Sequence, residues 1–288
     1  MVQERQADLR QRMEDAYAHM SKGQHAIAKY ITDNYDKAAF MTASRLGDLV
    51  GVSESTVVRF SIALGYAGYP QLQKALQEMI RSRLTTVQRI EMSVQPGQYE
   101  LRSLMKTDIN NLRRTLEDLD NEAFQLAVAQ ILAANRVYIV GVRSAAPLAQ
   151  FLGYYLNYVL DDVRPYHSGL GDVFEHLIRL SSADLVIGIS FPRYSARTSD
   201  ALAFAHKAGA RTLAITDSVS SPLAAHADIC LTAHSDIAAF VDSLVAPLSL
   251  INALILAVGM QRKEQISQRF EELESVWETY HVYTGKEQ

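Results

Sequence analysis

Apolar positions fall into two textures along the chain. Up to about residue 80 they recur at intervals of three and four, the spacing of helices with one buried face. GQHAIAKYITDNYDKA places Ile27, Tyr30, Ile31 and Tyr35 on one such face. From about residue 125 the texture changes to short, nearly continuous apolar runs separated by helical stretches. RVYIVG (136–141), VRPYH (163–167), DLVIGIS (184–190), RTLAITD (211–217) and DICLT (228–232) predict five strands. Runs of this kind suit strands covered on both faces. Helices are expected near 144–160, 172–180, 197–208 and 239–262, and the alternation predicts a parallel sheet between two helix layers. Between the two textures, EMSVQPGQYE carries Pro96 and Gly97, which break a helix. Helical spacing resumes from Glu100 to Leu119 through Leu101, Leu104, Ile109, Leu112 and Leu116, and Asp120 is placed to cap a further helix. The expected organisation is an all-α domain over 1–80, a helical linker over 81–124, an α/β domain over 125–265 and a helical tail over 266–288.

The stretch MTASRLGDLVGVSESTVVRFSIALGYAGYPQLQKAL (41–76) is the most ordered part of the first texture. Thr42 can cap a helix running to about Val50, with Leu46, Leu49 and Val50 turned inward. Gly51 suits the left-handed residue that ends such a helix. Ser53 can cap a second helix from about Glu54 to Leu64, whose Val57, Val58, Phe60 and Leu64 would pack on the first. Helix, tight glycine turn, helix is the helix-turn-helix pattern, whose second helix enters the major groove by its N-terminus. Glu54, Ser55, Thr56 and Arg59 are its outward residues there, joined by the capping Ser53. Small hydroxyls approach base edges closely, and an arginine can grip a guanine with two bonds. Thr42, Ser44, Tyr69 and Lys74 are placed to meet phosphate oxygens. The same spacing also fits a helical hairpin with no nucleic-acid role.

Composition sharpens this only a little. Nearly half of the 288 residues are apolar (48%) and about a fifth charged (21%), which suits a soluble protein with a core. The net charge of −4 hides an asymmetry. Residues 1–90 hold 12 Lys/Arg against 9 Asp/Glu, and the remainder 16 against 23, so a polyanion would meet the front. The single cysteine, Cys230, excludes an internal disulfide and a zinc cluster and reads as a small buried hydrophobe. MVQERQADLRQRMED is too polar for a secretory signal. The apolar stretch 240–260 contains Asp242, Pro247 and Asn252 and lacks a basic anchor before it, which favours a core or dimer helix over a membrane span. A cytoplasmic protein with no membrane partner, no metal and no cofactor is expected.

Candidate chemistry gathers at two strand ends. In VGVRSAAPLA, Gly141 permits a tight turn and Ser144 opens a helix, with Arg143 beside it. In GISFPRYSART (188–198), Ser190, Ser195 and Thr198 surround a helix start. Free N–H groups at helix N-termini favour a phosphate or carboxylate, although a serine there also serves simply as a cap. An isomerase would need an acid/base pair beside the anion. His167, Glu175, His176, His226 and His234 are available, but they form no recognisable constellation and no metal-ligand spacing.

Taken together, the two halves resemble the RpiR (MurR/RpiR) family of bacterial transcriptional regulators over almost the whole chain. AFMTASRLGDLVGVSESTVVRFSIALGYAGYPQLQKAL resembles that family's helix-turn-helix domain. IVGVRSAAPLA and GISFPRYSART resemble, in order, the two hydroxyl-bearing turns of a sugar-isomerase (SIS) domain. The resemblance implies an all-α DNA-binding domain followed by an α/β three-layer sandwich with a parallel, doubly wound sheet. It implies double-stranded operator DNA as partner, a dimer or tetramer, and a small anionic effector, a sugar phosphate or sugar-derived acid. Carried over by position, Ser144, Ser190 and Ser195 would contact phosphate, with Thr198 nearby. SIS loops commonly read Ser-x-Ser-Gly-x-Thr; here Pro192 stands where a hydroxyl is usual and Arg193 where a glycine is usual. Arg193 supplies a charged, bidentate grip on phosphate or carboxylate, and Tyr194 a ring to close over a sugar. Effector binding would draw the two loops together and shift helix 144–160, with its Tyr154, Tyr155 and Tyr158, at the subunit interface. Two other readings stay open: a phosphosugar isomerase with a helical arm, and a DNA-binding protein whose SIS-like domain only oligomerises.

Overall fold

In a computed structural model, which describes residues 9–81, 87, 101–166, 171–236 and 241–284, the five apolar runs form one sheet. Pro96, Gly97 and His167 lie outside the described residues. The strands are β1 (Val137–Gly141), β2 (Val163–Pro165), β3 (Leu185–Ile189), β4 (Arg211–Thr216) and β5 (Ile229–Thr232). Their order is β2-β1-β3-β4-β5, and every pairing is parallel. The chain divides by its contacts into two units, residues 1–92 and 93–288.

The first unit is built from helices α1 (Leu9–Ala16), α2 (Lys22–Asp33), α3 (Tyr35–Ala38), α4 (Ala43–Val50), α5 (Glu54–Ala63) and α6 (Tyr69–Arg81). Local chemistry sets the starts. Ser21 opens α2 with a reciprocal cap: its Oγ accepts from the Gln24 N–H at 3.3 Å, and Gln24 Oε1 accepts from the Ser21 N–H at 2.8 Å. Ile27, Ile31, Leu46, Val57, Phe60, Leu72 and Leu76 are completely buried and hold the bundle together. Tyr30 and Tyr35 sit half-buried at the edge of this core. From α1, Arg12 Nη1 donates to the Leu64 carbonyl at 2.9 Å and so supplies a donor at the C-terminal end of α5.

In the second unit the period-two alternation sorts the strand side chains onto two faces. Val137, Ile139, Leu185, Ile187, Ile189, Leu213 and Ile215 share one core with α8 (Asn121–Ala133), α9 (Ala146–Leu156) and α12 (Val245–Gln261). Tyr138, Val140, Val186 and Ala214 share the other with α10 (Val173–His176) and α11 (Ala196–Lys207). Helix α7 (Leu101–Glu117) packs against α12, and α13 (Lys263–Thr279) follows α12. The helix expected over 172–180 is a single turn, closed by reciprocal capping between Asp172 and Glu175. Asp120 caps α8, accepting from the Ala123 N–H at 2.9 Å. Among the described residues no single helix is long and apolar enough to cross a membrane.

The winding of the sheet reverses between β1 and β3, since the chain goes from β1 outward to β2 and then back to the other side of β1. Doubly wound sheets bind ligands beyond the carboxyl ends of the strands at such a reversal, which here are the ends of β1 and β3. The opposite end of the sheet is fastened by charge. Asp184 is buried before β3 and accepts from Arg136 Nε at 2.9 Å and Nη2 at 2.7 Å, and from the Ser181 N–H and Oγ at 2.8 Å each. Burial pushes this carboxyl up, and the Arg136 and Ser181 donors outweigh it and hold the group below its ordinary value.

Replacing Asp184 by Asn removes the charge from this cluster and is expected to cost about 3 kcal/mol at neutral pH, read by urea unfolding. The folded carboxyl titrates lower than the unfolded one. Its contribution is therefore whole above about pH 5 and is lost as the pH falls below about 4. The gap between Asp184→Asn and the native protein should close over that range.

Candidate functional sites

In the first unit, Thr42 caps α4 by accepting from the Arg45 N–H at 3.2 Å, and Gly51 ends the helix with φ +74°. The turn crosses α4 at Gly47, where a Cβ would stand 2.7 Å from the Val52 carbonyl oxygen, so only glycine lets the two helices close this tightly. Ser53 caps α5 by accepting from the Thr56 N–H at 3.3 Å, and its Oγ lies 2.9 Å from both the Ser55 and the Thr56 hydroxyls. Glu54, Ser55 and Arg59 are exposed and Thr56 is half-exposed, all at the N-terminal end of α5. Arg59 Nε donates to the Ser55 carbonyl at 3.3 Å, which lays the guanidinium back along the helix. Thr42, Ser44 and Lys74 are exposed as well.

Two expectations in this unit are corrected. Leu49 is 48% exposed, because the buried line of α4 runs through Ala43, Leu46 and Gly47 and leaves Leu49 beyond its edge. Tyr69 is not a phosphate contact. It is buried, its hydroxyl donates to the Met41 carbonyl at 2.7 Å, and burial pushes its pKa up to about 12. Gln73 and Gln77, which sequence reasoning passed over, join it: their Nε2 atoms donate to the Met41 and Ala39 carbonyls at 2.9 and 3.0 Å. The four-residue spacing of Tyr69, Gln73 and Gln77 was the available signal. These three side chains fasten α6 to the turn that leads into α4.

In the second unit, Gly141 ends β1 opposite Ile189, the end of β3. The loops after these strands therefore leave the sheet about 5 Å apart, the spacing of paired strands. Gly141 has a reason in packing: a Cβ there would stand 2.9 Å from both the Ala145 carbonyl oxygen and the Ala149 Cβ. Arg143 and Ser144 are exposed in the following turn, and Ser144 Oγ donates to Asp242 Oδ2 at 3.2 Å. In the other loop, Ser190 is buried and its Oγ accepts from the Ser195 N–H at 3.0 Å, which closes the loop on itself. Ser195 caps α11, accepting from the Thr198 N–H at 3.4 Å. Thr198 is completely buried and its Oγ1 has no hydrogen-bond partner. Pro192 is buried and Arg193 exposed.

Tyr194 is turned toward the end of β4, where its hydroxyl donates to Asp217 Oδ1 at 2.8 Å. Asp217 and Asp242 are thus two carboxylates at this end of the sheet that no motif in the sequence marks. Arg143 and Arg193 share one further property. Both hold left-handed backbone, φ +58° and φ +66°, which side-chain-bearing residues seldom adopt. Arg193 thus keeps the glycine-like conformation of the position it occupies.

Three of the acid/base candidates, Glu175, His176 and His234, are committed elsewhere. Glu175 belongs to the Asp172 cap, the His176 ring lies 3.2 Å from the Arg164 carbonyl, and His234 Nε2 pairs with Asp118 at 2.7 Å. Among the described residues no three His, Cys, Asp or Glu side chains gather to hold a metal ion. Cys230 is half-buried in β5, and burial, aided by the Asp217 charge, pushes its thiol up to about 11. Tyr154 and Tyr155 are exposed, and Tyr158 donates to the Tyr154 hydroxyl at 2.7 Å; that bond, with burial, raises Tyr158 to about 12.

A helix-turn-helix unit joined to a doubly wound sheet with hydroxyl-bearing loops at its switch point defines a transcriptional regulator with an isomerase-like domain. The comparisons agree. Residues 7–83 match the helix-turn-helix domain of the rpiR family, and residues 130–257 match the SIS domain. An RpiR transcription factor from Sphaerobacter thermophilus, solved as its sugar isomerase domain, is 32% identical with a TM-score of 0.59, over 62% of this chain and 99% of that one. The HTH-type transcriptional regulator HexR of Pseudomonas aeruginosa is 25% identical over 88% of this chain and 90% of its own. The fold is also that of the Vibrio vulnificus NanR protein, solved with ManNAc-6P, at 20% identity and a TM-score of 0.58 over 97% and 99% of the two chains. The chain belongs to the RpiR family of helix-turn-helix transcriptional regulators, and it is a regulator rather than an enzyme.

Tyr69→Phe keeps the ring in the core and removes one donor from the Met41 turn. It should cost about 1 kcal/mol in urea unfolding. Because the hydroxyl faces no phosphate, the salt dependence of binding to a duplex should not change.

Proposed function

We propose that this regulator binds operator DNA through the N-terminal end of α5 and that a small anionic metabolite, a sugar phosphate or sugar-derived acid, alters that binding from the cleft between the β1 and β3 loops. The observation that carries the reading is the pair of exposed arginines, Arg143 and Arg193, held in left-handed backbone on neighbouring loops at the switch point. Strained backbone of this kind is kept where function needs it. Thr198 adds support. A buried hydroxyl without a partner costs about 1–3 kcal/mol, and an acceptor oxygen delivered to the start of α11 would remove that cost. Gly141, Ser144, Ser190 and Ser195 supply the turn, the donors and the helix start around it, and Tyr194 borders it through Asp217. The NanR protein, which shares this fold, was solved with ManNAc-6P, which supports the same kind of ligand here.

On DNA, Arg59 reads a base edge, with Ser53, Glu54, Ser55 and Thr56 beside it, and Thr42, Ser44 and Lys74 meet phosphates. The protein acts in the cytoplasm as a dimer or tetramer. The effector changes the spacing of two recognition helices, which requires that it bind the two spacings with different affinity. The loops move helix α9 and its exposed tyrosines, and through them the subunit contact.

Two experiments test this. Duplexes selected on the native protein should lose about 1–3 kcal/mol of discrimination at one base position in Arg59→Ala, while Lys74→Ala should weaken all duplexes alike and lower the salt slope by about one. Unchanged sequence preference in Arg59→Ala would sink the assignment of α5. Thermal shifts against phosphorylated sugars, the free sugars and small carboxylic acids should show one anionic class that stabilises the protein. Arg193→Ala should lose that shift. Thr198→Val should be at least as stable as the native protein without ligand and respond less to it. An anion-dependent shift retained in both variants would remove them from the cleft.

A further inference from the structure

Helix α7 is built inside out. Its buried residues are polar: Asn111 exchanges hydrogen bonds with the Asp236 backbone at 3.2 Å each, and Thr115 Oγ1 accepts from the His234 N–H at 2.9 Å. Asp108 and Arg114, on the same side, take Ser243 and Asp236 as partners. The apolar residues face outward instead. Leu101, Met105, Ile109, Leu112 and Leu116 follow one another at steps of four, four, three and four, which makes a continuous seam along the helix. Leu101 is 71% exposed and Leu116 74%, and Met105 and Ile109 are more than half exposed. A seam with this period and this exposure is the surface of a helix meant to be covered by another helix.

Helix α13 carries a matching seam. Ile266, Phe270, Leu273, Trp277 and Tyr280 follow at steps of four, three, four and three. Its first turns are seated on their own domain, where Ile266 packs on the core of the sheet, so the part of the seam left to meet a partner runs from Leu273 to Tyr280. Arg269 donates to the Asn157 carbonyl at 3.3 Å, and the Phe270 ring lies 5.1 Å from that of Tyr158. No residue of α13 is fully buried, and Tyr280 is 74% exposed.

Charge decides which seam meets which. Arg102, Lys106 and Arg113 are exposed along one border of the α7 seam. Glu271, Glu274 and Glu278 are exposed along one border of the α13 seam, where they line a shallow groove with Ile266 and Phe270. Pairing α7 with its own copy would set basic rows together, and pairing α13 with its own copy would set acidic rows together, both unfavourable. Pairing α7 with α13 sets opposite rows together. Both rows lie on the same rotational side of their seams, so antiparallel docking brings them face to face.

We propose that α7 of one copy docks antiparallel on α13 of a second copy, and reciprocally, so that a two-fold pair of these contacts clasps the dimer. A two-fold axis repeats the contact automatically. The proposal rests on the self-association proposed above and adds a second contact surface to that of helix α9.

The test uses the full chain and two triple charge reversals, Arg102→Glu/Lys106→Glu/Arg113→Glu and Glu271→Lys/Glu274→Lys/Glu278→Lys, all at exposed positions. In sedimentation velocity the native protein should associate, and each reversed protein alone should associate about tenfold more weakly or less. Mixed one to one, the two reversed proteins should form a mixed dimer, since each of its two contacts again joins opposite charges. Native protein that stays monomeric would overturn both this surface and the proposed self-association. Native association with either reversed protein associating normally, or a mixture that stays apart, would overturn the surface alone.

Discussion

A parallel sheet leaves its two ends unequal, and the rest of this molecule follows from that inequality. Every strand here runs the same way, so all the loops that enter strands gather at one end and all those that leave gather at the other. The entering end can be fastened. Asp184 and Arg136 do so with a charged, hydrogen-bonded pair between the starts of β3 and β1. The leaving end has to open where the winding reverses, because the chain departs from β1 and β3 toward opposite helix layers. The hydroxyls, the two left-handed arginines and the two carboxylates Asp217 and Asp242 all lie on the segments around that opening. Rigidity at one end lets the other end carry two residues in left-handed backbone and, in Thr198, a buried hydroxyl without a partner.

The first unit works by a comparable division. Its helices are positioned by buried contacts far from the outward face of α5. Gly47 sets how closely the turn approaches α4, and Tyr69, Gln73 and Gln77 hold the carbonyls of the turn before α4. The exposed end of α5 then has little to do for stability beyond its own serine cap. That leaves its remaining side chains free to be chosen for what they meet.

Much of this was legible in the sequence. All five strands stand within a residue or two of the apolar runs, because strands buried on both faces leave an unbroken signature. The caps at Thr42, Ser53, Asp120 and Ser195 were equally legible, since capping is local and depends on residue type. What could not be read was whatever depends on a partner distant in sequence. Tyr69 looked like a surface hydroxyl because nothing near it marks the Met41 carbonyl as its acceptor. Asp242 meets Ser144 across almost a hundred positions. Leu49 has helical spacing to Leu46, yet the line of contact passes beside it. In α7 the periodicity gave the helix correctly but not which face is inward, since an apolar stripe normally points into its own core. There the buried side is chosen by hydrogen bonds with His234, Asp236 and Ser243, which the stripe does not report.

Cys230 carries a practical consequence. A thiol raised to about 11 is almost entirely protonated near neutral pH, and the protonated form is a poor nucleophile. Cys230 should therefore react slowly with alkylating reagents. A single cysteine introduced on an exposed position would take up a fluorophore or spin label selectively, and distances between subunits could then be followed in the otherwise native protein.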